Sequence, residues 1–332
     1  MKSLGMMRLP ADRFNPGLKR LLGLVAVIIF CGSCTAPPAP PLRIGTNVWP
    51  GYEPLYLARD LGYLGEDIHL VEYSSASQVI KAFQNGAIEV AALTLDEVML
   101  LQEKAQDPKI ILVLDVSNGA DAILARPEIK TMSQIKGRRV GVENTAAGAY
   151  LLSRAMEMRG VKLSDIHITP ISIEEHLRAY QEGRVDVVVT FDPVRSKLVS
   201  GGATQLFDSS EIPGEIVDVL VVHHDDHLHG EQINKLLRSW FRALDYLSEN
   251  PDAAAAKIAK RLRLRPSEVM NMYKGIHLPS LDENKDLLVG SSPGIYPSAQ
   301  RLADVMVSHH LLKEPIDVKS IFDSEHILSL KP

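Results

Sequence analysis

Gln84 to Thr94 reads QNGAIEVAALT, and Gln181 to Phe191 reads QEGRVDVVVTF. Laid over one another, they place Gly86 on Gly183, Ile88 on Val185, Glu89 on Asp186 and Val90 on Val187. Each stretch ends a helical run at a glycine and then opens a short apolar run, the way a helix hands over to a buried strand. Helix-glycine-strand joints are common, so coincidence stays open, but the match predicts two similarly built α/β lobes.

The flanking sequence extends this pattern. Strands are expected at Leu42 to Thr46, Ile68 to Tyr73, Ile88 to Leu93 and Ile110 to Leu114, with helices near 54 to 62, 76 to 85 and 95 to 105. A second set is expected at Arg139 to Val142, Ile166 to Ile171, Val185 to Thr190 and Thr204 to Phe207, again separated by helices. Alternation of this kind predicts an α/β fold with mainly parallel sheets. After one more strand, Val217 to Val222, the chain turns mostly helical over Gly230 to Ser248, Pro251 to Leu262, Pro266 to Tyr273 and Ser298 to Leu312. Ile233, Leu236, Leu237, Trp240 and Leu244 share one face of the first of these, which reads as covering for a sheet.

The N-terminal segment bears on location rather than fold. A basic leader ending in Lys19-Arg20 runs into the apolar segment Leu21 to Phe30, then into CGSC at Cys31 to Cys34. This is the layout of a secretory signal. The apolar segment is shorter than the ~20 residues that span a bilayer. Its end resembles a bacterial lipobox: Gly32 and Ser33 fit, Cys31 departs from the usual Leu or Val, and Cys34 is the expected acylation site. Ordinary signal-peptidase cleavage nearby is the alternative. On the lipobox reading, residues 1–33 are a signal peptide and 34–41, ending in the Pro-rich TAPPAPP, are an extended tether to the membrane. The chain's two cysteines, Cys31 and Cys34, both fall here, so no disulfide is expected in the exported body. The balance of 36 basic and 41 acidic residues leaves no electrostatic footprint for nucleic acid.

Several segments together carry a resemblance. IGTNVWPGYEPLYLARDLGYL at Ile44 to Leu64, GAIEVAALT, IKGRRVGV at Ile135 to Val142 and TFDP at Thr190 to Pro193 are similar, in this order, to the solute-binding proteins of NitT/TauT-type ABC importers. The resemblance covers nearly the whole chain from Leu42. It implies a two-lobed periplasmic-binding-protein fold of type II, with residues 42–117 and 217–332 forming lobe one, residues 118–216 forming lobe two, and two crossover strands between them. It further implies a monomer that holds a small solute in the interlobe cleft and presents it to an ABC permease and ATPase, on the periplasmic side of a bacterial membrane. Thr35 after the anchor leaves the choice of inner or outer membrane open, and with it the alternative of a ligand-sensing lipoprotein that signals to a receptor.

In α/β sheets, ligands sit beyond the carboxyl ends of the strands. The candidate ligand-binding residues are therefore Asn47, Trp49, Tyr52, Glu53, Ser75, Thr94, Asp96, Asn118, Asp121, Asn144, Thr145, Thr190 and Asp192. Helix capping is the competing role for several of them: Glu53 and Asp192 each precede a proline, Thr94 with Glu97 matches a capping box, and Ser75 and Thr145 suit caps. Trp49, in a loop between Asn47 and Pro50, has little other reason to be there. Glu53, Asp96, Asp121, Glu143 and Asp192 make this ring acidic, whereas Arg59, Lys136, Arg138 and Arg139 belong to helices or to the approach to a strand. That balance favours a cationic, amine-bearing or heteroaromatic solute over an anion.

HHDDHLH at His223 to His229 is the most metal-like string, yet it leaves a strand and enters a helix without zinc-site spacing, and reads as a solvated turn. Neither a metal nor a cofactor is expected. No P-loop, GxSxG or His/Ser/Asp arrangement stands out. The cysteine-rich motif of the pyrimidine-synthase relatives is absent, so a non-enzymatic binding role is preferred to that enzyme.

Overall fold

The structure, a computed structural model, describes residues 40–143, 146–224, 229–290 and 294–331. The leader with Cys34, the cleft candidates Asn144 and Thr145, and residues 225–228 of the histidine string lie outside the described residues.

Eleven strands are present among the described residues: β1 (Leu42–Thr46), β2 (Ile68–Glu72), β3 (Val90–Thr94), β4 (Pro108–Ser117), β5 (Asp121–Ala125), β6 (Arg139–Val142), β7 (His167–Pro170), β8 (Val187–Phe191), β9 (Thr204–Asp208), β10 (Val217–His223) and β11 (Ile276–His277). They form a six-stranded sheet in the order β11-β4-β10-β3-β1-β2 and a five-stranded sheet in the order β7-β6-β8-β5-β9. Both sheets are mixed rather than mainly parallel. In the larger, β1 is parallel to β2 and β3, and β10 is antiparallel to β3 and β4. In the smaller, β6 is parallel to β7 and β8, and β5 is antiparallel to β8 and β9. The antiparallel members adjoin the interlobe connections. A strand that enters a sheet from the other lobe need not run with the βα repeat, and β5 and β10 do not.

The matched sequence segments are structurally matched as well. Helices Ala76–Gln84 and Ile173–Gln181 end just before Gly86 and Gly183, which adopt φ of 65° and 72°, a left-handed conformation that suits glycine. Glu89 Oε2 then accepts from the backbone N–H of Arg43 at 2.8 Å, and Asp186 Oδ2 accepts from that of Arg139 at 3.0 Å. In both lobes the acid in front of the strand pins the first turn of the neighbouring parallel strand.

Helices flank the sheets and close the core. Gly230–Glu249 buries Ile233, Leu236, Leu237 and Trp240 completely, the stripe expected of its spacing. No helix among the described residues is long and apolar enough to cross a membrane.

The chain passes from the larger sheet to the smaller through residues 118–120 and returns through 209–216. The two passages are tied side by side. Ser117 Oγ and Ser209 Oγ lie 2.7 Å apart, the Gly119 N–H donates to Ser209 Oγ at 2.6 Å, and the Ser117 N–H donates to the Ile216 carbonyl at 3.0 Å.

Candidate functional site

The cleft lies where these passages meet the strand ends. Asp121 opens β5 immediately after the outward passage, and Asp218 is the second residue of β10 after the return. Asp218 pairs in register with Asp115 of β4 and with Thr94 of β3. The tied crossings thus bring carboxylates from three strands to one place. Glu97, in the first turn of helix Leu95–Glu103, joins them, its Oε2 accepting from the Thr94 N–H at 3.0 Å. Together with Glu143, the side chains of Asp121, Asp218 and Glu97 line a cavity of about 60 Å³ between the lobes. No lysine or arginine lines it among the described residues.

Burial raises the proton affinity of this group, because removing a carboxylate from water penalises its charged form. Asp121 is pushed up to about 7 by burial, with the charges of Asp192 and Asp96 adding to the effect. Glu97 rises to about 8 through burial and the nearby Asp96, and burial alone takes Asp96 to about 6. Asp115 rises to about 8, again chiefly through burial. Asp218 is raised well above the ordinary range by burial and then by the adjacent Asp115 charge. The direction is common to all five groups: burial favours the protonated, uncharged form.

Aromatic donors brace the acids. Trp49 Nε1 donates to Asp115 Oδ2 at 3.0 Å, and the Tyr52 hydroxyl donates to Asp218 Oδ1. Gly51 makes this approach possible, since a Cβ there would collide with both Asp115 Oδ2 and Trp49 Nε1. Trp49 also meets Phe191 of the smaller sheet edge to face, with ring centroids 5.3 Å apart at 82°, so an aromatic pair spans the two lobes. From the smaller lobe His176 lies beneath, only 2% exposed, with Nδ1 3.1 Å from Thr190 Oγ1. Burial lowers its pKa to about 4, so the ring is neutral at physiological pH.

The candidates named from the sequence separate into two groups. Asn47, Trp49, Tyr52, Thr94, Asp121 and Thr190 line the cleft. Glu53, Ser75, Asp96, Asn118 and Asp192 do not. Glu53 is fully buried and bound by Arg261, whose Nε donates to Glu53 Oε2 at 2.7 Å. Ser75 caps helix Ala76–Gln84, accepting from the Gln78 N–H, and the neighbouring Ala76 is the residue that reaches the cleft. Asp96 is buried behind the cleft. Asn118 is exposed on the outward passage, its N–H donating to the Gly275 carbonyl at 2.8 Å. Asp192 accepts from the Ser196 N–H at 3.0 Å and lies 3.6 Å from Arg195, so it caps the helix that follows it.

Asp115, Asp218, His176 and Phe191 were not among the sequence candidates. The two aspartates did carry a signal: each is a lone acid inside an apolar strand run, ILVLDVS and VDVLVV, and a charge so placed is rarely buried without a role. His176 carries no comparable signal.

The histidine string is not wholly a solvated turn. His223 ends β10 with its ring stacked on Phe83, centroids 3.8 Å apart, and its Nε2 lies 3.0 Å from the Phe83 carbonyl. His229 is 4% exposed ahead of helix Gly230–Glu249. Its flanks pack because they finish a strand and begin a helix. Among the described residues, no group of three or more His, Cys, Asp or Glu side chains is placed to hold a metal ion.

The profile of the NMT1-like family matches residues 35–263. A protein of Escherichia coli (strain K12) named for aliphatic sulfonates binding is 24% identical over 307 residues, which cover 90% of this chain and 93% of that protein. Among solved structures, the alkanesulfonate-binding protein SsuA from Xanthomonas axonopodis pv. citri bound to MOPS aligns with a TM-score of 0.73 at 19% identity, covering 87% of this chain and all 100% of its own. The desulfurization enzyme DSZB aligns with a TM-score of 0.63 at 15% identity, over 87% of this chain and 98% of its own. At these identities the two structures show a shared fold.

Proposed function

The chain belongs to the NMT1-like family, and from that premise we propose that it captures a small amine-bearing or heteroaromatic solute between its lobes and delivers it to an ABC permease and ATPase. Its role is binding rather than turnover. DSZB shares the fold, and a fold does not carry chemistry from one site to another.

The observation that carries the choice of solute is the convergence of Asp121, Asp218, Glu97 and Glu143 on a cavity lined, among the described residues, by no cation. A sulfonate, for which the Escherichia coli relative is named, would meet unfavourable Coulomb terms on entering it. A cation would instead displace protons and gain charge-assisted hydrogen bonds. Asn47, Trp49, Tyr52, Thr94, Asp121 and Thr190 are the proposed solute contacts, and Asn144 and Thr145, next in the chain after the cleft residue Glu143, belong with them. Capture follows from closure: a solute touching both lobes stabilises the closed arrangement by its differential contacts.

The proposal includes the anchor. The protein acts on the periplasmic side, held to the membrane by acylated Cys34 after removal of residues 1–33. Two measurements test these statements. Mass spectrometry of the solute released from the protein taken from its native membrane should return an amine-bearing compound, and an anionic compound would overturn the choice of solute. Metabolic fatty-acid labelling should be lost in Cys34→Ala, and labelling that persists would remove the anchor.

A further inference from the structure

We propose that the solute group read by this cleft is an organic cation carrying several N–H donors, of amidinium or primary-ammonium type, and that His176 is its acceptor from the smaller lobe; this rests on the solute-capture reading above. Thr94 Oγ1, Asp115 Oδ1, Asp121 Oδ2 and His176 Nε2 are all buried without a hydrogen-bond partner, and the side chains of Thr94, Asp121 and His176 line the cleft. Buried acceptors are ordinarily satisfied, and leaving one unsatisfied costs more than a typical hydrogen bond contributes.

The unpaired atoms come from both lobes. Thr94 ends β3 of the larger sheet, Asp121 opens β5 of the smaller, and His176 lies on helix Ile173–Gln181 of the smaller lobe. His176 Nδ1 lies 3.1 Å from Thr190 Oγ1, and we assign the tautomer in which Nδ1 carries the proton and donates there, so that Nε2 presents a lone pair to the cleft. A group that donates to Thr94 and Asp218 on one side and to Asp121 and His176 on the other bridges the lobes and holds them closed.

This pattern discriminates among cations. A quaternary ammonium supplies charge but no N–H, so every unpaired acceptor stays unpaired when it binds. A sulfonate supplies neither charge of the right sign nor donors. An amidinium supplies both, and its flat body suits the apolar walls formed by Trp49, Phe191, Val189 and Ile216.

Three probes share a benzene ring and differ in these two properties: benzamidinium, benzyltrimethylammonium and benzenesulfonate. Calorimetry on the full chain in detergent should find benzamidinium binding about tenfold or more tightly than benzyltrimethylammonium, the scale of lost hydrogen bonds to a charged group, and benzenesulfonate not binding. His176→Leu should weaken benzamidinium by about tenfold and His176→Gln, which restores an acceptor, should recover part of that loss. Should His176→Leu fail to fold, Asp121→Asn gives the same comparison at the other smaller-lobe acceptor. The inference is overturned if benzamidinium does not bind, if benzyltrimethylammonium equals it, if benzenesulfonate is preferred, or if folded His176→Leu keeps its affinity. Failure here and failure of the capture reading are distinguishable: closure on benzenesulfonate, seen by small-angle scattering, removes the cationic ligand and leaves capture standing. A protein that closes on none of the three and releases no solute from its native membrane removes capture as well.

Discussion

Gly51 shows how tightly single residues constrain the site. The space its side chain would occupy is filled by Asp115 Oδ2 and Trp49 Nε1, which bond to each other at 3.0 Å. Gly51→Ala should therefore force the indole and the carboxylate apart, leave Asp115 buried without its donor, and destabilise the fold by about 1–3 kcal/mol. Urea unfolding measures this, and an unchanged midpoint would mean that the indole–carboxylate contact is easily rearranged. At this scale the sequence was legible where a residue type had no ordinary local use. Trp49, an aromatic in a short loop, reached the cleft as expected. Glu53 and Asp192, each ahead of a proline, had an ordinary use as helix starts, and both lie outside the cleft lining. Nothing near Glu53 in sequence announces its partner, because Arg261 is 208 positions away.

That distant pair acts between elements. Arg261, near the end of helix Pro251–Leu262, binds Glu53 at the start of helix Glu53–Asp60, also reaches Glu72 at the end of β2, and lies over the Tyr56 ring at 3.7 Å. Glu53→Gln should cost about 1–3 kcal/mol of stability, since the buried charge-assisted bonds weaken, while solute affinity stays unchanged. Loss of affinity without loss of stability in calorimetry and thermal melts would return Glu53 to the binding site. The crossings make a second case. Ser209 is fully buried and receives the Gly119 N–H while pairing with Ser117 Oγ, so Ser209→Ala leaves the Gly119 N–H without its acceptor and takes one of two partners from Ser117 Oγ, which keeps the Asp121 N–H. A loss of about 1–2 kcal/mol is expected, together with a larger radius of gyration in the solute-free protein as the tie between crossings loosens. Unaltered scattering would show that this tie does not hold the lobes in register. The strands and helices themselves were largely evident from periodicity, and Leu42–Thr46, Arg139–Val142 and Pro251–Leu262 fall at the expected limits. Strand β5 was not anticipated: Asp121–Ala125 is five residues long and follows a crossing, where no helical pattern brackets it.

Across the whole molecule, the buried acids predict how stability varies with pH. A carboxylate whose native pKa is raised keeps its proton in the folded state after the unfolded chain has lost its own. Native stability therefore falls as pH rises through the interval between the two values. Above about pH 6.5 the carboxylates held low by ion pairs, such as Glu215 beside Arg154, are ionised in both states, and His176, neutral in the fold, adds only the opposing tail of one unfolded-state titration, which is over by about pH 7.5. Asp121 near 7, with Asp115 and Glu97 near 8, still shed protons there, so the solute-free melting temperature should drop between about pH 6.5 and 8. A bound cation should flatten that drop, and its affinity should rise over the same interval. Thermal melts that rise with pH in this window, or affinity indifferent to it, would show the acids already ionised. The division between sequence and structure is physical. The alternation of helix and strand, the duplicated helix-glycine-strand joint and the acidic character of the strand ends were readable in the chain alone, because periodicity and composition are properties of neighbouring residues. Only the tertiary structure decided that both sheets are mixed, that Asp115 and Asp218 stand side by side, and that His176 and Asp121 of the smaller lobe line one cavity with Thr94 and Asp218 of the larger. Those relations arise where two interlobe passages bring distant strands together, and the pairing of such strands leaves no periodic mark on the sequence.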